Sequence, residues 1–525
     1  MSILRNKSGE SNAVMVISMI LVALIGIWGV IAPSSMTGSA QKLVSFSLKS
    51  LDWYFLAVCT GSVILMGYMA FSKYGDIKLG RDDEEPEFST MSWIAMLFAG
   101  GMGAGLVFWG VAEPIYHFVS PPGMIGKTAL SARQAFVITN LHWGFHAWSL
   151  YGTCALVIAY FTFRLDLPSL ISSPIKVGFN NVFSKSLLNK FGITADVLAV
   201  LSVIFGMAGS IAMGVFMVRS GMTAVFGTGG TTTVAMLIMA AMFICYMLSA
   251  CTGVDKGIKI LSNLNMGIAI AMLLVVLFGG PTAYLFQVFL NSLGDYIFQI
   301  IPLSFRIFSF DGDLTSWTHD WTLTYFIWWL AWGPFVGIFI ARISRGRTIR
   351  QFVTGVIIIP SVFSMLWFAA FGGAALHIEL FDGGGLADAV FADVTNALFV
   401  FFSYFPATSL LNALAVFLTF VFLVTSADSG TYVLAMMTSN GSLNPTLKSK
   451  MFWGVMIAVL TVSVIVSGSI AVAKAMAITG AIPFVLIVIM QVVGFLRVIR
   501  LDPKILESSP KPVALPALKT NKAAA

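Results

Sequence analysis

Twelve apolar runs, each close to the roughly 20 residues that cross a hydrocarbon layer about 30 Å thick, dominate this 525-residue sequence. They lie near 14–33, 52–72, 91–118, 134–163, 194–218, 231–251, 258–287, 321–342, 350–374, 395–437, 449–468 and 472–498. At that depth no water can satisfy a backbone N–H or C=O, so each run must close its hydrogen bonds within a helix. The expected fold class is an all-α membrane protein with 12 transmembrane helices. The segment 291–308 is too short and mixed to span, and reads as an amphipathic helix lying at an interface. Residues 14–500 are expected to form a single transmembrane domain. The flanks 1–13 and 501–525 leave no room for another, and the second, rich in Pro and Ala, reads as a short disordered tail. The first run shows no small-residue cleavage site and reads as a retained span.

Only 10% of the residues are charged and 58% are hydrophobic, whereas a soluble domain carries about 25% charged residues. The net charge of +7 forms no nucleic-acid face, because Lys and Arg sit in short clusters between the apolar runs. Their placement orients the chain instead. With twelve spans both termini share one side. Seven of the 30 Lys and Arg fall on the other side: Lys42, Lys49, Lys127, Arg133, Arg219, Arg306 and Lys474. The remaining 23, including Arg5, Lys73, Arg81, Arg342, Arg345, Arg347, Arg350 and Arg497, lie with the termini. Positive residues collect on the cytoplasmic side, so both termini are expected in the cytoplasm, in a bacterial inner membrane. The four cysteines, Cys59, Cys154, Cys245 and Cys251, show no ligand spacing or disulfide framework and read as small buried hydrophobes.

Function is sought where a span stops being monotonous. The third run holds Gly100, Gly101, Gly103 and Gly105 within six residues. Glycine is a poor helix former, so this stretch either unwinds to line a cavity or allows close helix packing. The fourth run carries Trp143, Trp148 and Tyr151, the last two on one helical face; the eighth carries Trp328, Trp329 and Trp332. Tryptophan collects at membrane interfaces, yet these clusters lie in mid-run. A box of aromatic faces suits a quaternary ammonium, which has no N–H and is held by cation–π attraction of roughly 0.5–2 kcal/mol per ring. In the tenth run Thr425, Ser426, Asp428, Ser429 and Thr431 mark an expected third break. Such hydroxyls either back-bond to their own helix or, beside unwound carbonyls, suit a hard cation such as Na⁺. Among ionisable residues inside runs, Glu113 is expected near water and Asp428 deeper. His142 and His146 share a face without a third metal ligand. No nucleophile triad, phosphate cradle or carboxylate pair stands out, and no enzyme is expected.

Four segments carry a family resemblance: GMGAGLVFWGVAEPIYHF (Gly101 to Phe118), HWGFHAWSLY (His142 to Tyr151), WWLAWGPFVGIFIARISRGRTIRQF (Trp328 to Phe352) and VTSADSGTYVLAM (Val424 to Met436). In these the sequence resembles the betaine–carnitine–choline transporters. The resemblance implies a secondary active transporter with a LeuT-like core of two inverted five-helix repeats, spans 3–7 and 8–12, preceded by two extra helices. It implies that Trp143, Trp148, Tyr151 and Trp329 form the aromatic box and that Trp328 and Trp332 line the pathway. Met102, with Gly101, Gly103 and Gly105, matches the unwound substrate segment. The Na⁺ site of sodium-coupled members corresponds to the Thr425 and Ser426 hydroxyls with backbone oxygens of Ala99, Met102 and Phe422. It further implies a homotrimer, with 291–308 at the position of the family's interfacial helix.

Departures refine these expectations. Sodium-independent exchangers of the family carry an arginine near Asn265, and that arginine is absent here. The family's second sodium site draws on hydroxyls in the fifth span, which here reads Phe205-Gly206-Met207-Ala208-Gly209-Ser210 and offers few. Choline-selective members have an aspartate at the position of Gly105; glycine favours a zwitterion, whose carboxylate can use backbone N–H groups. Osmosensing members carry a long charged tail that 501–525 does not resemble. The expected function is Na⁺-coupled import of a zwitterion such as glycine betaine, carnitine, dimethylsulfoniopropionate or ectoine, with Na⁺ the coupling ion and no other cofactor. The rival readings are a sodium-independent exchanger, a proton-coupled choline carrier, and a membrane sensor that binds such a solute without moving it.

Overall fold

The computed structural model describes residues 13–101, 103–252, 255–442 and 444–508. The chain opens with α1 (Ala13–Ile31) and α2 (Pro33–Phe71). Pro33 starts α2, where its missing N–H is not needed, and non-helical backbone at Leu51 kinks the helix. The third and fourth apolar runs are each interrupted. One is α3 (Thr90–Gly101) followed by α4 (Ala104–Val119); the other is α5 (Ala129–Trp143) followed by α6 (Phe145–Ala159) and a π-helical turn, Tyr160–Arg164. A short α7 (Ser173–Gly178) leads to α8 (Lys185–Phe226), α9 (Thr232–Thr252), α10 (Asp255–Gly279) and α11 (Thr282–Ser304). Next, α12 (Gly312–Thr318) joins α13 (Thr324–Ile343) through the π turn His319–Leu323, and α14 (Ile349–Phe381) follows. After α15 (Leu386–Ala392) and α16 (Ala397–Phe402) come α17 (Thr408–Met437), α18 (Leu447–Ser467), α19 (Ile470–Thr479), α20 (Ala481–Ile499) and α21 (Pro503–Ser508). Among the described residues there is no strand, only an isolated bridge between Lys78 and Thr348, and ten helical stretches are long and apolar enough to cross a membrane.

Several expectations change. The run 395–437 is two elements, because the helix that crosses begins only at Thr408. The helix expected over 291–308 spans Thr282–Ser304, after Gly280 and Pro281 end α10. No break occurs at 424–431: α17 is continuous, since its hydroxyls bond back to their own helix without displacing the backbone ladder. Residues 501–508 are ordered: Asp502 is buried, accepting from Tyr160 at 2.9 Å and from Arg164 Nη2 and Nε at 2.9 and 3.1 Å, and α21 follows it. The rest of that expected tail, and of the expected N-terminal tail up to residue 12, lies outside the described residues. Arg164 also grips Asp82 in the 72–89 loop at 2.6 Å, and this bond holds the Asp82 carboxyl below its ordinary range. Cys59 and Cys154 are buried as expected, whereas Cys245 is exposed on α9; the side chain of Cys251 lies outside the described residues.

Burial sorts the helices into layers. The spanning window of α8 is 83% buried and that of 312–343 is 72% buried, against 33% for α1 and 28% for α9. The outer helices present bare apolar side chains, such as Ile31 at 78%, Phe71 at 84% and Leu237 at 65% exposed. Lipid is the solvent that accepts such a surface. The axial helix α8 packs on α17, α19, α18 and α13. Close approach explains its glycines. A Cβ at Gly209 would strike the backbone of Ala473 and Ala477 on α19, and one at Gly206 would lie 3.1 Å from Ala331 on α13. Gly209→Ala is therefore expected to lower stability by about 1–3 kcal/mol. Gly267→Ala on α10, where an added Cβ meets nothing within 4 Å, should be neutral or mildly stabilising. Thermal unfolding of the detergent-solubilised protein measures both; equal effects would refute the packing account.

Candidate functional site

The two helix breaks meet at one place. Gly103 caps α4 in extended backbone with no side-chain cap, so the first N–H groups of α4 end at a cavity. Gly144, at φ −95° and ψ −133°, separates α5 from α6 and leaves Trp143 as the last residue of α5. A Cβ at Gly105 would lie 3.2 Å from the Trp143 ring, so the bare glycine makes room for that indole over the first turn of α4. Trp329 of α13 crosses Trp143 edge to face at 4.9 Å and Tyr151 of α6 at 5.9 Å. These three rings line a cavity of about 990 Å³ together with Gly103, Gly105 and Tyr325.

The four tryptophans and Tyr325 are tied by their polar ends. The Trp329 indole N–H donates to the His142 carbonyl at 2.7 Å. That carbonyl is one of the last of α5, which the break deprives of the usual helical donor. The Trp143 N–H donates to Glu113 Oε2 at 2.7 Å, and the Tyr325 hydroxyl donates to the same oxygen at 2.6 Å. Trp328 and Trp332 both donate to the Ser210 hydroxyl, at 3.0 and 3.2 Å, and Ser210 donates in turn to Gly206 O at 2.8 Å. Buried polar atoms must be paired in this way, or the burial costs free energy.

Of the residues singled out from the sequence, Trp143, Tyr151, Trp328, Trp329, Trp332, Gly103, Gly105, Phe422, Thr425 and Ser426 all line this one cavity. Trp148 does not; it is buried behind Tyr151, which it meets edge to face at 5.8 Å, and supports that ring from outside the box. Met102 lies outside the described residues, and Ala99 and Gly101 are described only as helical backbone of α3. Thr425 donates within its own helix, to Val421 O at 3.0 Å and Phe422 O at 3.1 Å. Its hydroxyl oxygen still has lone pairs to offer.

The sequence reading misplaced one group and missed three. Glu113 is fully buried, not near water. Besides its two ring bonds, its Oε1 lies 2.7 Å from His142 Nδ1 and 3.4 Å from His117 Nε2. His142 and His146 do not act as one face: His146 bonds Ser304 at 3.1 Å and stacks on Phe326, while His142 stacks on Tyr325. Glu113, His117 and His142 offer ligand atoms within 4.8 Å of one another, a metal-ligand set by type. Glu113 and His142 already bond each other, and His142 Nε2 meets the Thr322 hydroxyl at 3.0 Å, so hydrogen bonding accounts for the cluster. Tyr325 was missed although it precedes Trp328, Trp329 and Trp332 by three, four and seven residues, the stripe of one helix face. Ser210 was missed because its role depends on a distant helix. Lys474 had no sequence signal: its ammonium lies over Trp109 at 4.5 Å and Trp321 at 4.7 Å, beyond the box. At the opposite end the cavity reaches Arg342, Arg345 and Lys450.

Ser210→Ala leaves two indole N–H groups without their acceptor and is expected to cost about 1–3 kcal/mol. Ser202→Ala, which loses only a 3.4 Å bond to Ala331 O, should cost less. Chemical unfolding followed by tryptophan fluorescence compares them; a larger cost at Ser202 would contradict the assignment.

Comparison with known proteins matches the chain to a family. The sequence profile of the betaine/carnitine/choline family transporters covers residues 13–504. The chain is 39% identical to an ectoine/hydroxyectoine transporter of Virgibacillus pantothenticus over 94% of this chain and 97% of that protein. It is 38% identical to the glycine betaine transporter OpuD of Bacillus subtilis, over 90% and 91%. It is 34% identical to the high-affinity choline transport protein of Escherichia coli, over 89% of this chain and 69% of that one. The chain belongs to the betaine/carnitine/choline transporter family, a family of multi-pass membrane transporters and not of enzymes.

Proposed function

We propose that this protein imports a compact zwitterion with a bulky cationic head, glycine betaine being the type, by Na⁺ symport. One observation carries the substrate class: the rings of Trp143, Tyr151 and Trp329 converge on one cavity where α4 begins. The rings suit a trimethylammonium group, and the uncapped N–H groups at Gly103–Gly105 suit a carboxylate. Two relatives support the zwitterion by what they are named for, glycine betaine and ectoine. Thr425, Ser426 and Phe422 line the same cavity, where hydroxyl and carbonyl oxygens suit Na⁺. Na⁺ held there would favour the outward-open arrangement of the third span that also binds substrate, which couples the two.

Packing supports twelve spans built as two inverted repeats. If spans 3 to 7 are α3–α4, α5–α6, α8, α9 and α10, their counterparts are α13, α14, α17, α18 and α19–α20. Contacts then exchange in pairs: α4 packs on α14 as α6 packs on α13, α8 on α18 as α9 on α17, and α8 on α19 as α10 on α17. With both termini cytoplasmic, Arg342, Arg345 and Lys450 lie at the cytoplasmic mouth, so the cavity opens inward. Lys474 between Trp109 and Trp321 then closes the outer side. We place the protein in the bacterial inner membrane as a homotrimer, with α11 as its interfacial helix.

The test is uptake of radiolabelled glycine betaine into proteoliposomes under an inward Na⁺ gradient or an equal K⁺ gradient. Concentrative uptake with Na⁺ alone is expected, and equal uptake in both would refute the coupling. Trp329→Ala should abolish substrate binding in a protein that still folds; unchanged affinity would refute the box. The double variant Thr425→Ala with Ser426→Ala should remove the Na⁺ dependence, and uptake still rising with Na⁺ would move the ion elsewhere.

A further inference from the structure

Glu113 is fully buried and does not line the cavity; it sits behind two rings that do. The Trp143 indole can only donate, and both it and the Tyr325 hydroxyl direct their hydrogens at Oε2, while His142 Nδ1 meets Oε1. Converging donors hold the group in its acceptor form, a carboxylate. The other groups facing it are His117, 3.4 Å from Oε1, and, beyond the Trp109 and Trp321 rings, Lys474. A ring that donates to an anion takes on negative charge density, and hydrogen bonds in series polarise one another in a low-dielectric interior. The faces of Trp143 and Tyr325 gain attraction for a cation, and a neutral body of the same shape gains nothing. The same bonds fix the positions of two rings, 5.7 Å apart, that come from different helices.

We infer that Glu113, acting through Trp143 and Tyr325, is the positioning residue that makes the cavity prefer a cationic head group over a neutral one of the same shape. The inference rests on the proposed function, in which these rings hold an ammonium group. It adds a selectivity determinant that touches no substrate.

The experiment measures equilibrium binding of glycine betaine and of tert-butylacetate to the purified full-length protein in the presence of Na⁺. tert-Butylacetate replaces the ammonium nitrogen by carbon and keeps the shape. The unsubstituted protein is expected to prefer betaine. Glu113→Gln keeps the size and one acceptor but removes the charge. It should weaken betaine roughly tenfold, the scale of one good cation–π contact, and leave tert-butylacetate unchanged. Glu113→Asp keeps the charge and should retain the preference even if both ligands bind less tightly. Equal weakening of both ligands in Glu113→Gln, or no change in either, overturns the inference. If Glu113→Gln does not fold, Tyr325→Phe keeps the ring and removes its bond to the carboxylate. A smaller loss of preference is then expected, and an unchanged preference overturns the inference. An unsubstituted protein that binds both ligands equally, or neither, contradicts the ammonium reading itself, a failure visible before any variant is made.

Discussion

A polar group at membrane depth must find its partner inside the protein, and most of this structure follows from how two broken helices meet that demand. The break after Trp143 frees carbonyls of α5, and the Trp329 indole from α13 takes one of them. The break at Gly103 opens the first turn of α4 to a cavity. Glu113, farther along α4, collects donors from α5 and α13. The neighbouring helices α4 and α5 and the distant α13 are thereby fixed around one space.

The same ties set what can move. Tryptophans whose polar ends are anchored keep their faces free, so the cavity has an apolar, π-rich wall on a polar frame. The frame joins α4, α5 and α13, while α8 contributes Ser210 as the common acceptor for Trp328 and Trp332. On the proposed function, a change from inward to outward access must preserve the bonds around Glu113 and release contacts at the two ends. On that function the contact of Lys474 with Trp109 and Trp321 would close the outer end. At the end opposite Lys474 the walls include Arg342 and Arg345, which are paired with Glu87 and Glu84 in the loop before α3.

The all-helical membrane character and the aromatic clusters were legible because they are local signals. Apolar run length gave the helices, and Trp143, Tyr151 and Trp329 stood out as aromatics in mid-run. The glycine cluster before Gly105 marked a true break. Hydroxyl clustering misled at 424–431, because Thr and Ser bond back to their own helix without breaking it. The role of Glu113 was not legible, because its donors come from residues 29 to 212 positions away. Trp148 meets Tyr151 edge to face, as their three-residue spacing predicts, but spacing does not say which of the two faces the cavity. Helix periodicity predicts a shared face, and only packing decides what that face meets.

On the proposed function, the rings where α4 begins hold the cationic head of the substrate. The most direct measurement is an experimental structure of the protein in lipid with glycine betaine bound. The account predicts ligand density with its trimethylammonium group against Trp143, Tyr151 and Trp329 and its carboxylate toward the N–H groups of Gly103–Gly105. Density elsewhere in the cavity, or a carboxylate turned toward the rings, would contradict it.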